Sequence, residues 1–467
     1  MMVEDMVKKK QGVTKKSYEI DMTSGPLLGK ILLFALPLIA SNIMQLLFNA
    51  ADVIIVGRFV GNHALAAVGS TTALINLLTN LFIGLSIGTN VMIAKYSGGG
   101  NKKDIREIVH TSVLFSFLCG IALIFLGLFA SGPLLKLMGT PEDVIDQATL
   151  YMQIYFAGMP VVMLYNFVTS ILRAIGDTRR PLYYIMVAGI VNVLLNIFFI
   201  TQFGMGVEGV ALATVISQAL SAFLVVRVLK HAEGAYKLEF KGLRINKLKL
   251  MQMVKIGLPA GMQGVIFSLS NTLIQSSINL FGSTAMAGST AAANIEGFIY
   301  MAMNAFNQTA LSFTAQNYGA GKFDRVKRVL LLCLACVTIT GLGLGVLVYI
   351  FGYQLLGIYS QDATVMVYGM IRITYICLPY FMCGVMDVLA GSVRGLGYSV
   401  SPMISAIVGA CGLRVLWIFT IFQMHKSLEI LYLSYPVTWT MTSICNFVMF
   451  AVIYRRIKNR VKLQMEN

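Results

Sequence analysis

The residues of this chain that could do chemistry are a few ionisable and amide side chains stranded in long apolar stretches. Asp52 lies in "FNAADVIIVGRF", while Asn192 and Asn196 lie one helical turn apart, on one face, in "GIVNVLLNIFF". An ionised side chain at mid-bilayer costs about 2.5–3.5 kcal/mol even on the more lenient insertion scale, so a partner, a cavity or an exchangeable ion should account for each. Burial disfavours the charged form of a carboxyl group, which makes Asp52 beside two amides a candidate to load and release H+ or to hold Na+. Two plainer roles stay open: a capping or structurally paired aspartate, and amides that simply join helices.

A second set lies further on: Glu296 in "ANIEGF", Arg372, Asp387, and Arg414 in "GLRVLWI". The rise of a helix puts Glu296 and Arg414 each about 15–20 Å from its loop end, hence at one depth, where opposite charges should meet. A carboxylate between guanidinium groups would stay ionised. The set reads either as a static interhelical pair or as a charge network that binds a cation or rearranges during transport. Tyr155, Tyr165, Phe198, Phe298, Tyr300 and Tyr380 are candidates to line a cleft and attract a cationic ligand to their ring faces, at about 0.5–2 kcal/mol each.

Soluble-enzyme chemistry has little to stand on. The chain has no Gly-rich loop ending in Gly-Lys-Ser/Thr. His63 and His425 fall in outer loops, His231 in an inner loop and His110 at the start of the third span, so none is deep enough for a hydrolytic site. All seven cysteines lie in apolar stretches, where they read as small packing groups; Cys333 and Cys336 share a helix face but have no further ligands beside them. No catalytic activity, cofactor or resident metal is therefore expected.

The elements that must position these groups are membrane helices. The chain is 57% hydrophobic and only 12% charged, with mean hydropathy +0.76, whereas a soluble domain is about 25% charged. Apolar stretches long enough to cross a bilayer recur near 31–56, 64–96, 105–130, 142–172, 181–201 and 207–229, then 250–281, 285–317, 324–351, 362–394, 401–422 and 428–454. They lack the alternation of a membrane barrel. The fold class expected is an all-α integral membrane protein of about twelve helices.

The chain also repeats itself. Leu172-Arg173-Ala174-Ile175-Gly176 and Pro181 return as Val393-Arg394-Gly395-Leu396-Gly397 and Pro402, 221 residues on; Ala94–Gly100 returns as Ala315–Gly321 at the same interval, and Leu36-Pro37 as Leu258-Pro259 at 222. A constant interval in separate segments means a duplicated unit. Six crossings bring the chain back to its starting side, so the halves should be parallel repeats about a pseudo-twofold axis along the membrane normal, with function between them. The lobes are assigned to 26–230 and 250–455, joined by a polar linker at 231–249, with tails at 1–25 and 456–467. The counterpart of Asp52 falls near Leu273 or Ile274, so its carboxylate is not a packing need common to both halves. Gly98-Gly99-Gly100 and Gly319-Ala320-Gly321 read as helix-ending turns rather than phosphate loops.

The net charge of +16 does not call for nucleic acid. Basic residues gather in the loops on one side, such as Lys102, Lys103, Arg106, Arg173, Arg179, Arg180, Lys322, Arg325, Lys327 and Arg328, whereas the other side holds only Arg58, Lys136 and Lys426. By the positive-inside bias both termini are cytoplasmic in a multi-pass protein of the cell's inner or plasma membrane. The basic linker could lie on anionic headgroups. The first 25 residues are polar and basic, without the short apolar core of a cleavable signal, so the first span is expected to be an anchor.

The doubled Arg-Gly-x-Gly-type motifs with their prolines, Asp52-Val53-Ile54-Ile55-Val56-Gly57, and Gln316-Asn317-Tyr318-Gly319-Ala320-Gly321 resemble the multidrug and toxic compound extrusion (MATE) family, over about residues 25–455 and nearest to a branch common in Gram-positive bacteria. The resemblance implies two six-helix lobes around a central cleft, working as an antiporter that exchanges H+ or Na+ for small organic, often cationic, compounds. It places Asp52 at the cation-coupling aspartate of the first helix and Asn192 and Asn196 beside it, Asn196 standing where some members carry an acid. Val265–Ser270 lacks the acid of Na+-coupled members, and Asp387 lies about one turn nearer the cytoplasm than the usual tenth-helix aspartate. A monomer is expected. The alternative function is a flippase for a lipid-linked or amphiphilic substrate, which would need a wide basic portal.

Overall fold

In the computed structural model, which describes residues 18–466, the chain folds into helices and forms no strand among the described residues. Ten of them are long and apolar enough to cross a membrane, and one bent pair makes an eleventh span. They are α1 (Leu27–Val60), α2 (His63–Gly98), α3 (Lys102–Leu137), the bent α4 (Glu142–Ala157 and Met159–Ala174, 49° apart), α5 (Arg179–Phe203), α6 (Val207–Lys230) and α7 (Lys247–Asn279). After α8 come α9 (Phe323–Ile350), α10 (Ala363–Gly395), α11 (Val400–Met424) and α12, which begins at Leu428 and continues to Glu466.

The twelfth segment, α8 (Ser283–Gly319), is a 37-residue helix rich in Ala, Ser and Asn. It sits inside its lobe with most of its second half buried, so protein rather than lipid surrounds it and high hydropathy is not required. Lipid-facing surfaces elsewhere carry large exposed apolar side chains, among them Ile54, Phe129, Leu194, Ile339 and Phe419.

Local signals end and start these helices as the repeat requires. Gly100 and Gly321 turn the chain after α2 and α8 with φ of 69° and 71°, a conformation open to glycine at no steric cost. Asn101, Asn246 and Asp362 each accept a backbone N–H of the following first turn. Three π-helical turns, Val56–Val60, Ile373–Cys377 and Ala406–Gly412, adjoin the segments that carry Asp52, Arg372 and Arg414. Such turns recur at functional sites because they re-aim side chains.

Two cores form, but they do not divide at the linker. The half of α1 nearest the chain termini, its inner half (Leu27, Ile31, Phe34, Ala35, Leu38), is buried in the core of the second lobe, with the Phe34 ring edge-on to Phe313 at 5.5 Å. Its outer end, at Val56, belongs to the first lobe. α7 does the converse: Met253 packs in the first lobe, Ile274 and Ile278 in the second.

The inner ends of the lobes are sealed on the pseudo-twofold axis, where α2 crosses α8. Ser312 Oγ donates to Asn90 Oδ1 at 3.1 Å. Below it a Cβ on Gly98 would lie 1.8 Å from the Gln316 carbonyl oxygen, and one on Gly319 1.8 Å from that of Lys95. These contacts are reciprocal, because the two glycines and the two carbonyls are repeat partners. Further out, Gly84 meets Gly261 backbone to backbone.

Residues 1–17 of the expected N-terminal tail lie outside the described residues. Residues 18–25 form a strap across the seal rather than a free end. The Met22 N–H donates to Gln316 Oε1 at 2.9 Å, Asn317 Nδ2 donates to the Met22 carbonyl at 3.1 Å, and Arg325 donates to Ser24 at 2.6 Å. On the first lobe, the Arg180 guanidinium stacks over Tyr18 at 4.8 Å, and the Tyr236 hydroxyl donates to Glu19. The linker too is tied down, through Asn246 to Glu107 at 2.8 Å and a 3-10 turn at Phe240–Gly242.

Candidate functional site

The first-lobe candidates come together. α1 presents Asp52 to α5, where Asn196 Nδ2 donates to Asp52 Oδ1 at 2.6 Å, and Asn192 Oδ1 accepts a longer contact from the same nitrogen at 3.4 Å. Thr214 on α6 completes the group: its hydroxyl lies 3.4 Å from Asp52 Oδ2 and receives Asn192 Nδ2 at 3.4 Å. Asp52 is half-buried and forms no ion pair among the described residues. Asn196 Oδ1 is buried without a hydrogen-bond partner. The cluster borders a small cavity of about 40 Å³ lined also by Gln45, Asn49 and Gln218. One carboxylate, amide oxygens and a hydroxyl form a hard oxygen donor set, suited to H+ or Na+ rather than to a transition metal. Among the described residues no group of three or more His, Cys, Asp or Glu is placed to hold a metal ion.

The second-lobe candidates line a much larger cavity of about 550 Å³, whose wall includes Glu296, Arg372, Asp387 and Arg414. Its other lining residues come from α2 of the first lobe (Asn80, Ile83, Gly84 and Ile87) and from α7, α8, α10 and α12, so the cavity lies between the two lobes. Glu296 pairs with Arg372 at 2.8 Å rather than with Arg414, and Arg372 also donates to Ser289 Oγ at 2.9 Å. Arg414 instead lies 4.0 Å over the Tyr435 ring and reaches Thr438 Oγ1 at 3.4 Å. Depth along a helix does not fix which way a side chain faces, and α10 turns Arg372 toward Glu296 first. Asp387 faces the cavity and makes no ion pair among the described residues.

Of the aromatic candidates, Tyr300 and Tyr380 line this cavity, joined by Phe267 of α7 and by Tyr435 and Trp439 of α12. The Tyr380 ring meets Trp439 edge-on at 5.2 Å. Phe298 is not in the wall, because two residues from Glu296 it points round the far side of α8. Tyr155 stacks on Tyr151 at 6.2 Å and Tyr165 is buried; both pack with the first-lobe core, where the bent α4 is held, rather than in this cavity. Phe198 is half-exposed on α5, against Phe203 at 5.4 Å. The repeated motifs hold the lobes: Arg173 donates to Gln308 at 2.6 Å across the lobes, and its counterpart Arg394 donates to Gln263.

The family model MatE matches this chain twice, at residues 37–198 and 259–420. The chain belongs to the MatE family. It is thus a MATE transporter, not an enzyme, and the two matched segments fall one in each half of the chain. Among its relatives, the "Probable multidrug resistance protein YoeA" of Bacillus subtilis (strain 168) is 30% identical over 436 residues, covering 91% of this chain and 93% of that one. An "FAD transporter" of Shewanella oneidensis is 27% identical over 406 residues, covering 85% and 87%. A solved "Outward-facing conformation of a multidrug resistance MATE family transporter of the MOP superfamily" superposes with a TM-score of 0.88 at 20% identity, covering 95% of this chain and all of the other.

Proposed function

We propose that the protein is a secondary antiporter that exports small organic, amphipathic and cationic compounds in exchange for H+ or Na+, sitting as a monomer in the plasma membrane with both termini in the cytoplasm. The observation that carries this reading is Asp52: a carboxylate within a membrane helix, held by neutral amide and hydroxyl groups, with no basic side chain neutralising it among the described residues. A group so placed is left to be neutralised by a mobile ion. Taking up H+ or Na+ would change what Asn196, Asn192 and Thr214 bond to, and through α1, α5 and α6 shift the first lobe. Since α1 is built into both lobes, a change at its outer half bears on the pair, and occupancy biases which face is open. The cavity between the lobes, with five aromatic rings (Phe267, Tyr300, Tyr380, Tyr435 and Trp439) and the Asp387 carboxylate, suits an amphipathic cation.

The test is the purified protein in liposomes, loaded with a fluorescent organic cation and given imposed pH or Na+ gradients one at a time. Uptake or efflux driven by one gradient and lost in Asp52→Asn supports the reading and names the ion; gradient-driven transport unchanged in Asp52→Asn refutes it. A second reading, an anionic aromatic substrate, is favoured by Arg372 and Arg414 in the same wall and by the name of the Shewanella relative. Flavin nucleotide competing with the cation in the same assay would favour it.

A further inference from the structure

A second large cavity, about 470 Å³, lies at the inner surface between the start of α3 and the linker, far from both sites above. Its wall is Lys103, Arg106, Glu107 and His110 from α3, and Lys241, Gly242, Leu243, Arg244 and Asn246 from the linker. Local pairing leaves a surplus of positive charge. Arg106 is ion-paired with Glu239, and the Glu107 carboxylate accepts the Asn246 amide at 2.8 Å. His110 is spent on holding the linker, its Nδ1 at 2.7 Å from the Arg106 carbonyl and its Nε2 accepting the Glu239 N–H at 3.2 Å. Lys103, Lys241 and Arg244 remain, exposed and without an ion pair among the described residues.

Three cations converging on a concave site without a counter-ion call for an anion with several acceptor oxygens. What sits beside them identifies its source. Phe240, Leu248 and Met251 are exposed to 54%, 73% and 69%, and belong to the linker turn and the first turn of α7, where the chain enters the bilayer. A soluble anion needs no such apolar neighbours, whereas a lipid brings acyl chains to cover them. We propose that this cleft binds the phosphodiester headgroup of an anionic glycerophospholipid from the cytoplasmic leaflet, with Lys103, Lys241 and Arg244 on the phosphate and Phe240, Leu248 and Met251 against the acyl chains. Because the cleft is formed jointly by α3 and the segment joining the lobes, the bound lipid pins the linker to the first lobe. The inference rests on the membrane orientation proposed above but not on the coupling ion or the substrate.

The experiment is native mass spectrometry of the full-length protein in detergent, titrated in parallel with phosphatidylglycerol, phosphatidylcholine and inorganic phosphate. Phosphatidylglycerol is expected to be retained and phosphatidylcholine not. Each of Lys103→Gln, Lys241→Gln and Arg244→Gln should weaken retention about fivefold, the equivalent of about 1 kcal/mol for one basic residue at an anionic surface. Arg455→Gln/Arg456→Gln/Arg460→Gln, which removes three positive charges at once from exposed positions on the end of α12, should leave it unchanged. Each cleft substitution is single, so that the fold is disturbed as little as the test allows. The proposal falls if the three single variants retain the lipid like the parent, if the α12 variant loses it equally, or if inorganic phosphate displaces it at equal concentration, which would mark a free-phosphate site. The gradient assay of Asp52→Asn is unaffected by any of these outcomes, so the two readings fail separately.

Discussion

Replacing Gly98 by alanine tests the inner seal most directly. Gly98 is not in the left-handed region, so its backbone accepts a Cβ, but that atom would stand 1.8 Å from the Gln316 carbonyl oxygen of α8 and 2.8 Å from its carbon. Ordinary contact begins near 3.4 Å, so α2 and α8 must part by about 1.6 Å there. The obstructing atoms are backbone, with no side chain able to swing aside. Overpacking of this kind costs about 1–3 kcal/mol. The cost falls only on the state in which the inner ends touch, so the population of that state should drop by about 5- to 150-fold relative to one with the inner ends apart. Spin labels at the exposed positions Lys102 and Lys327, on opposite lobes, would report it as a longer or second distance. Gly343→Ala, with nothing within 4 Å of the added atom, is the control that should change nothing. An unaltered distance distribution in Gly98→Ala would refute the reasoning.

Other substitutions probe the remaining features. Thr214→Val removes the hydroxyl near Asp52 Oδ2 and keeps the shape, so ion-driven transport should weaken several-fold while binding of the organic compound is kept; equal loss of both would mean a packing role. Arg372→Met strands the Glu296 carboxylate and should destabilise the protein by about 3–5 kcal/mol, seen as a lower unfolding temperature in detergent, with Glu296→Gln/Arg372→Met recovering most of it. Asp177, in the loop after α4, is pushed up from its ordinary 3.8 to about 6 by burial, which outweighs the backbone N–H and the ion pair supplied by Arg180. A raised value means that the folded form binds the proton more tightly, so the cost of the buried charge is present above pH 6 and relieved as pH falls through it. Hydrogen exchange of residues 18–25, corrected for intrinsic rate, should therefore be slower at pH 5 than at pH 7, and Asp177→Asn should abolish the difference.

Helical architecture and duplication were readable because they depend on composition and on interval. Gly100 and Gly321 must each turn the chain with positive φ, so both halves kept glycine there. The meeting of Asp52 with Asn192 and Asn196 was readable too, since two amides at i and i+4 share a face and need a polar partner. Thr214 was not, because a lone threonine in an apolar helix commonly bonds its own backbone, as this one does to the Val210 carbonyl at 3.0 Å. Choosing between Arg372 and Arg414 as the partner of Glu296 needed helix rotation, which spacing from a loop does not supply. Gln316 and Asn317 marked the family in the sequence, but their work on Met22 is invisible there: it joins residues almost 300 positions apart.

The exchange of α1 and α7 between the cores bears on how the protein is made. When the first six helices have left the ribosome, the inner half of α1 still lacks the helices that will bury Phe34 and Leu38, and it must wait in the bilayer until α8 arrives. Neither half can then mature alone, so a chain cut in the linker should yield an unfinished first fragment that is degraded unless the second is synthesised beside it. A duplication that began as two equal units has in this way become a single obligate unit of assembly.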